Sequence, residues 1–280
     1  MPKRLTSVSI VPNTDHVLVS DKTGDLWRLK LETDGSDAVT IEDVEGGTNE
    51  PVLGHFSVLT DFDVVERAVA TADRDNKIRI SRLPDAFVVD AFLLGHRESI
   101  AQVKFVSSSL LVSSSLDGTV RLWDCKSMDQ MDRIELEGEE VATGMCVQAG
   151  SLAMICHAQR ELLYSPSVSV GNKLSGIVRL PLSAEPTGLA IDIRSRLWVS
   201  ANDDNGDLVV NVFSCNGVEP SRSFEDEQAL QRALADRGVA GEPDALIKGD
   251  ILLAQKKKPI VDNWKGKKRK VDSTVTRLLR

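Results

Sequence analysis

GHRESIAQVKFVSSSLLVSSSLDGTVRLWD, running from Gly95 to Asp124, decides how the rest of the chain is read. Three short apolar runs lie in it, Val103 to Val106, Leu110 to Ser115 and Thr119 to Trp123. By period these are strands, and Asp117-Gly118 supplies the tight turn between the second and third. Asp117, a serine of the middle strand (Ser113 or Ser115) and His96 are spaced to form a buried hydrogen-bonded chain ending at Trp123, tying the outer turn of the sheet to its strands. This gives His96 and Asp117 a structural task rather than a catalytic one.

The same pattern recurs along the chain. Aligned on the second hairpin turn, repeats centre on Gly24, Asn76, Gly118, Arg160 and Gly206, at intervals of 52, 42, 42 and 46 residues. A Gly-His start, a Trp-Asp end and a period near 40 to 45 residues are the marks of WD40 repeats. The fold class implied is all-β, a WD40-type β-propeller with five recognisable blades, since one blade cannot bury both faces of its sheet without neighbours. WD-type rings usually close with about seven blades, so the count implies missing N-terminal blades, a ring closed by a partner or an unusually small ring, and a missing or alternatively started N-terminus is the favoured expectation. The boundaries are 1–222 for the blades, 223–254 for a C-terminal helix and a possible closing strand, and 255–280 for a basic, disordered tail. Ser223 with Asp226 forms a capping box for the helix, and Ile251 to Ala254 supplies the strand.

Composition narrows the function. No apolar run approaches the ~18 residues of a membrane helix, and nothing near Met1 resembles a secretory leader, so no membrane partner is expected. The four cysteines, Cys125, Cys146, Cys156 and Cys215, form no C-x-x-C pair and read as buried thiols. The net charge of −8 is divided unequally. Residues 251–280 hold ten Lys or Arg against Asp262 and Asp272, a net +8, leaving −16 in the first 250. Within that tail Lys256, Lys257 and Lys258 precede the cluster Lys265, Lys267, Lys268, Arg269 and Lys270 at bipartite spacing. Such clusters serve as nuclear import addresses or as phosphate contacts to nucleic acid, and the location implied is the nucleus, with the cytoplasm as a second compartment.

No catalytic constellation is present. The histidines His16, His55, His96 and His157 have no Cys or carboxylate at metal-ligand spacing, and phosphate-binding and nucleophile motifs are lacking. The acidic run Glu135 to Glu140 reads as a solvated loop between blades. No metal and no cofactor is implied. The informative segment is the second blade, where Ser81 stands in place of Trp and Asp73, Arg74, Asp75, Lys77 and Arg79 crowd one hairpin. These charges form either a salt-bridge lattice within the blade or a docking face for a complementary partner.

The runs L-G-H-x-S-x-L-T-D from Leu53, A-D-R-D-x-K-I-R-I-S from Ala72, L-G-H-x-E-x-I from Leu94 and S-S-S-x-D-G-T-V-R-L-W from Ser113 resemble the non-catalytic WD-repeat subunit of eukaryotic tRNA (guanine-N7)-methyltransferase. The close similarity covers residues 50–125. The resemblance implies a seven-bladed propeller that binds and stabilises a separate catalytic subunit as a heterodimer. That partner uses S-adenosylmethionine to methylate N7 of a guanine in the tRNA variable loop; the cofactor is the partner's. It further implies that Asp73, Arg74, Asp75, Lys77, Arg79 and Arg121 dock the partner or hold the docking surface, and that the basic C-terminal lysines lie near tRNA. Arg121 has a second reading, pairing with Asp75 or Asp117. Two rival classes are a generic WD-repeat adaptor such as a cullin ubiquitin-ligase substrate receptor, for which Trp123-Asp124-Cys125-Lys126 is a degenerate W-D-x-R, and a structural chromatin or ribosome-assembly scaffold.

Overall fold

A computed structural model of the chain describes residues 5–33, 39–43, 51–138, 140–156, 159–168, 174, 176–192, 196–206, 208–215 and 221–222. The expected helix, closing strand and basic tail lie outside these residues. Within them the chain forms five antiparallel sheets, each a meander of consecutive strands. The first blade comprises β1 (Leu5–Ile10), β2 (His16–Asp21), β3 (Asp25–Thr33) and β4 (Val39–Asp43), with β5 (Leu53–Gly54) pairing on β3. The second runs β6 (Leu59–Val65), β7 (Ala68–Asp73), β8 (Ile78–Arg82) and β9 (Val89–Leu93). The third is β10 (Ile100–Ser107), β11 (Leu110–Ser115), β12 (Thr119–Asp124) and β13 (Asp129–Glu135). The fourth is β14 (Ala142–Gln148), β15 (Ser151–Cys156), β16 (Glu161–Ser165) and β17 (Val178–Pro181), and the fifth is β18 (Glu185–Ile191), β19 (Arg196–Asn202), β20 (Leu208–Ser214) and β21 (Ser221–Arg222).

Turn chemistry sets these corners. Gly24, Gly118 and Gly206 have φ of 97°, 72° and 86°, and Asn76 takes the same left-handed conformation at 60°. Glycine adopts it without a Cβ penalty, and asparagine tolerates it. Gly24 is doubly constrained, since a Cβ there would come within 2.4 Å of the Ser57 carbonyl oxygen.

The second, third and fourth sheets are apolar on both faces because a neighbour covers each face. Leu110 and Val112 of β11 pack with Met145, Leu152 and Met154 of the fourth blade, whereas Leu111, next in sequence, packs with Ile78, Ile80 and Leu93 of the second. β11 is consequently buried at every residue. Leu18 and Leu26 meet Phe62 and Val69 between the first two blades, and Tyr164 meets Leu197 and Phe213 between the last two. At ~25 cal/mol per Å2 of apolar surface, these interfaces are the main stabilising term. The first strands of successive blades adjoin, β1 with β6, β6 with β10, β10 with β14 and β14 with β18.

Polar groups also stitch neighbouring blades. Asp61 on β6 accepts the Val103 N–H at 3.1 Å and lies 3.5 Å from Lys104 Nζ, while Asp63 accepts the Phe105 N–H at 2.7 Å. Burial raises the Asp63 pKa, against the pull of Lys104. The acidic run before the fourth blade is not wholly solvated as expected. Glu140 is buried because the Arg179 guanidinium draws it in at 3.4 Å, and Arg179 also binds Glu161 at 2.8 Å.

Candidate functional site

The third blade contains the complete hydrogen-bonded chain. His96 Nδ1 lies 3.0 Å from Asp117 Oδ2, His96 Nε2 lies 2.8 Å from Ser113 Oγ, and Trp123 Nε1–H donates to the same Oγ at 2.8 Å. Of the two serines left open by the sequence, Ser113 is the link. Ser115 instead donates to the Glu98 and Ser99 carbonyls. Burial alone would raise the Asp117 carboxyl, but the Thr119 hydroxyl, the Arg97 N–H and His96 lower it to about 2. Burial lowers the His96 pKa, with Asp117 opposing. Every polar atom of this chain has a partner, so it offers a substrate nothing.

Arg121 belongs to the same network. It is 5% exposed, donates from Nη1 to Gln130 Oε1 at 2.7 Å and from Nε to Thr119 Oγ1 at 3.3 Å, and approaches Asp117 at 3.8 Å. Its role in these contacts is to hold the blade, and its carboxylate partner is Asp117, not Asp75. A Cβ on Gly95 would fall 2.4 Å from the guanidinium, so the glycine makes room for it.

In the second blade the arrangement is displaced. His55 Nε2 reaches Thr71 Oγ1 at 2.8 Å, but His55 Nδ1 pairs with Asp73 Oδ2 at 3.1 Å, and Asp75, the residue before the left-handed Asn76, accepts instead from Ser57 Oγ at 2.9 Å. Asp73 is therefore not an exposed docking residue. It is 4% exposed and its other oxygen accepts the Asp75 and Lys77 N–H groups, which close the turn. Burial alone would raise its pKa, but the His55 and backbone hydrogen bonds leave it lowered. The His link survives although Ser81 replaces Trp.

Arg74, Asp75 and Lys77 are exposed on this hairpin. No salt-bridge lattice joins them among the described residues, where the second blade's ion pairs are His55 with Asp73 and Arg82 with Asp90, and Asp61 reaches across to Lys104. Arg79 is half-buried and held by neutral groups, donating to Ser81 Oγ at 2.9 Å, to the Gly54 carbonyl at 3.3 Å and to the Ala86 carbonyl at 3.1 Å. Burial lowers its pKa. It has no carboxylate partner among the described residues. A guanidinium fixed in place by neutral acceptors, with exposed charges of both signs beside it, is suited to receive a partner's carboxylate. Sequence reasoning did not find Gly54, Ala86 or Ser57 as parts of this site, since backbone acceptors carry no residue-type signal.

No group of three or more His, Cys, Asp or Glu suited to a metal ion occurs among the described residues. The four cysteines are free thiols with pKa values raised by burial, that of Cys125 to about 12. The lysines and arginine of the basic cluster, Lys256 to Lys270, lie outside the described residues.

Sheets of this order, joined through their faces, the third of them tied by the Asp117-His96-Ser113-Trp123 chain, define a WD40-repeat β-propeller protein whose distinguishing surface is a charged hairpin. Solved WD40 structures share the fold: one titled "Structure of U3-55K" matches with a TM-score of 0.58 over 78% of this chain and 63% of its own at 12% identity, and the RRP9 WD40 repeats match with a TM-score of 0.57 at 13% identity, over 78% and 62%. The family model described as the tRNA methyltransferase TRM82 WD40 domain matches residues 42–160, a span that contains the charged hairpin and the third blade. The chain is similar to proteins named tRNA (guanine-N(7)-)-methyltransferase non-catalytic subunit: 38% identical over 141 residues to WDR4 of Mus musculus (49% of this chain, 31% of that protein), 32% over 143 residues to TRM82 of Candida glabrata (49% and 32%), and 31% over 215 residues to wdr4 of Xenopus laevis (70% and 51%). The chain thus spans between about a third and half of the length of these relatives. The resemblance read from residues 50–125 is to these proteins, which does not favour the cullin-adaptor alternative.

Proposed function

We propose that this chain is a non-catalytic subunit that binds and stabilises the catalytic subunit of a tRNA (guanine-N7)-methyltransferase, and so supports N7-methylguanosine formation in the tRNA variable loop. The observation that carries the reading is the guanidinium of Arg79, which lacks a carboxylate among the described residues and lies in the span matching the TRM82 WD40 family. Arg74, Asp75 and Lys77 flank it as exposed charges that fix the orientation of a partner more than they add affinity. The chemistry belongs to the partner, which carries S-adenosylmethionine. This chain contributes binding and positioning.

In this reading Arg121 and Asp73 act from within, by holding the blades that present the surface. The basic tail, Lys256, Lys257, Lys258, Lys265, Lys267, Lys268, Arg269 and Lys270, serves tRNA phosphate contact, nuclear import or both, which fits a nuclear complex acting on tRNA.

Co-expression tests the docking claim. The catalytic subunit of the same organism, produced with this chain, should co-purify as a 1:1 complex and melt at a higher temperature than alone. A catalytic subunit that elutes separately and melts unchanged would refute the proposal.

A further inference from the structure

β9 is the outer strand of the second blade, paired with β8 on one side and with no strand on the other among the described residues. Every second residue of it therefore turns its backbone N–H and C=O outward without a strand to meet them. The side chains along it are apolar on both faces. Leu93 packs between the second and third blades at 1% exposure. On the other face the register sets Phe92 opposite Arg79 and, across a bulge, Val89 opposite Ser81, and Leu94 follows Phe92 by two. Val89, Phe92 and Leu94 are 39%, 51% and 64% exposed, where a face kept in water would be polar.

The outer edges of the next two blades are defended. β13 exposes Asp129, Arg133 and Glu135, charges that deter an added strand. β17 ends in Pro181, which has no N–H to offer, and its Arg179 is held by Glu140 and Glu161. β9 carries a single charge, Asp90, and Arg82 on the neighbouring strand takes it at 2.6 Å. A bare edge with an apolar row beside it is the arrangement to which an extended segment adds as a further strand, main-chain hydrogen bonds giving affinity and alternate side chains specificity.

We infer that β9 is a strand-addition site for an extended, cationic segment with apolar residues at every second position, belonging to a protein other than the catalytic subunit. The backbone selects an extended chain, since a helix satisfies its own N–H and C=O groups and leaves those of β9 unmet. The row Val89, Phe92 and Leu94 selects apolar side chains on one face of the added strand. Charge selects a cationic one: the first 250 residues carry −16, and Asp85 stands exposed in the loop that enters the strand. The site lies on the outer strand, apart from the charges of the β7–β8 hairpin on which the proposed function rests.

The test uses the full chain and a fluorescent, end-capped probe peptide, Lys-Val-Lys-Val-Lys-Phe-Lys-Val-Lys, followed by anisotropy. Two further forms of the probe are N-methylated at alternate residues, one in each register. The chain should bind the unmodified probe, and N-methylation should block binding in the register that removes the N–H groups facing β9. Val89→Lys/Leu94→Lys, which copies the defended edges, and Val89→Ser/Leu94→Ser, which adds no charge, should each bind the probe about 10-fold more weakly. All four side chains replaced are exposed, so both variants should keep the wild-type melting temperature. A wild-type chain that ignores the probe, variants that bind it as tightly as wild type, or two N-methylated forms that bind like the unmodified one would overturn the inference. Variants that lose a self-associated state in sedimentation, or affinity for the catalytic subunit, while holding the probe unchanged would assign the face to a second copy or to that subunit and refute it as well. A chain that takes the probe at β9 but does not bind the catalytic subunit would overturn the function proposed above and support this site.

Discussion

Arg79 and Arg121 occupy the same position of adjacent blades, three residues after the left-handed turn residue, and differ in what faces them. Arg121 is closed in by Thr119, Gln130 and Asp117, whereas Arg79 meets a serine hydroxyl and two carbonyls, with Phe92 opposite it on the next strand. One is saturated and the other is not. Replacing Lys77 and Arg79 together by glutamate is therefore expected to weaken binding of the catalytic subunit by ~2 to 5 kcal/mol. Arg121→Met should instead lower the stability of the isolated chain by ~1 to 3 kcal/mol, by leaving the Gln130 Oε1 without its donor and taking the guanidinium away from Asp117. Calorimetric titration and thermal melting of both variants separate the two effects; a Kd unmoved by Lys77→Glu/Arg79→Glu would refute the docking assignment.

Asp117→Ala should destabilise the chain by ~1 to 3 kcal/mol, since it removes the acceptor of His96, Thr119 and the Arg97 N–H together. Trp123→Phe keeps the ring but leaves Ser113 without its indole donor, and should cost less. Chemical denaturation orders the two variants. Equal midpoints for Asp117→Ala and wild type would contradict the tie between turn and strands.

Acidification should act in two steps. His96 titrates below its ordinary 6.5 in the folded chain because burial disfavours the imidazolium, so the stability tied to its neutral form is complete above 6.5 and is lost as pH falls below it. Asp117 is displaced from 3.8 to about 2, so its contribution, about 2 kcal/mol at most, is present above pH ~4 and is lost between ~4 and ~2. The Arg121 guanidinium stands 3.8 Å from the carboxylate and the Arg97 N–H donates to it. Melting temperature measured from pH 7 to pH 2 should fall in both windows, and Asp117→Asn should abolish the lower one. A profile identical in that variant would be inconsistent with the shift.

Deleting residues 256–280 removes all ten Lys and Arg of the last thirty residues, and should flatten the dependence of tRNA affinity on salt concentration and reduce nuclear accumulation. Filter binding of tRNA across a salt series reads the first effect and imaging of tagged chain reads the second. Persistence of both would make the tail a spacer.

The blades were legible because their determinants are local: left-handed turn residues, period-two apolar runs, and four residue types at repeating intervals. The partner of His55 was not. Asp73 ends β7 and Asp75 lies two residues on in the turn, and both are within reach of this corner; Ser57 binds Asp75 while the imidazole takes Asp73. The same holds for Arg79 and Arg121, equivalent in repeat position but distinguished by cross-strand neighbours and backbone carbonyls that no motif encodes. Asp61 and Asp63 carried no task legible in the sequence, because binding the N–H groups of β10 exists only once two blades meet.

The most direct measurement is N7-methylguanosine formation on a tRNA transcript with S-adenosylmethionine and the catalytic subunit of the same organism, with and without this chain. Methylation should rise steeply when the chain is added, the chain alone should be inert, and Lys77→Glu/Arg79→Glu should remove the stimulation. A rate that is the same with and without the chain would show that it is not the supporting subunit of this enzyme.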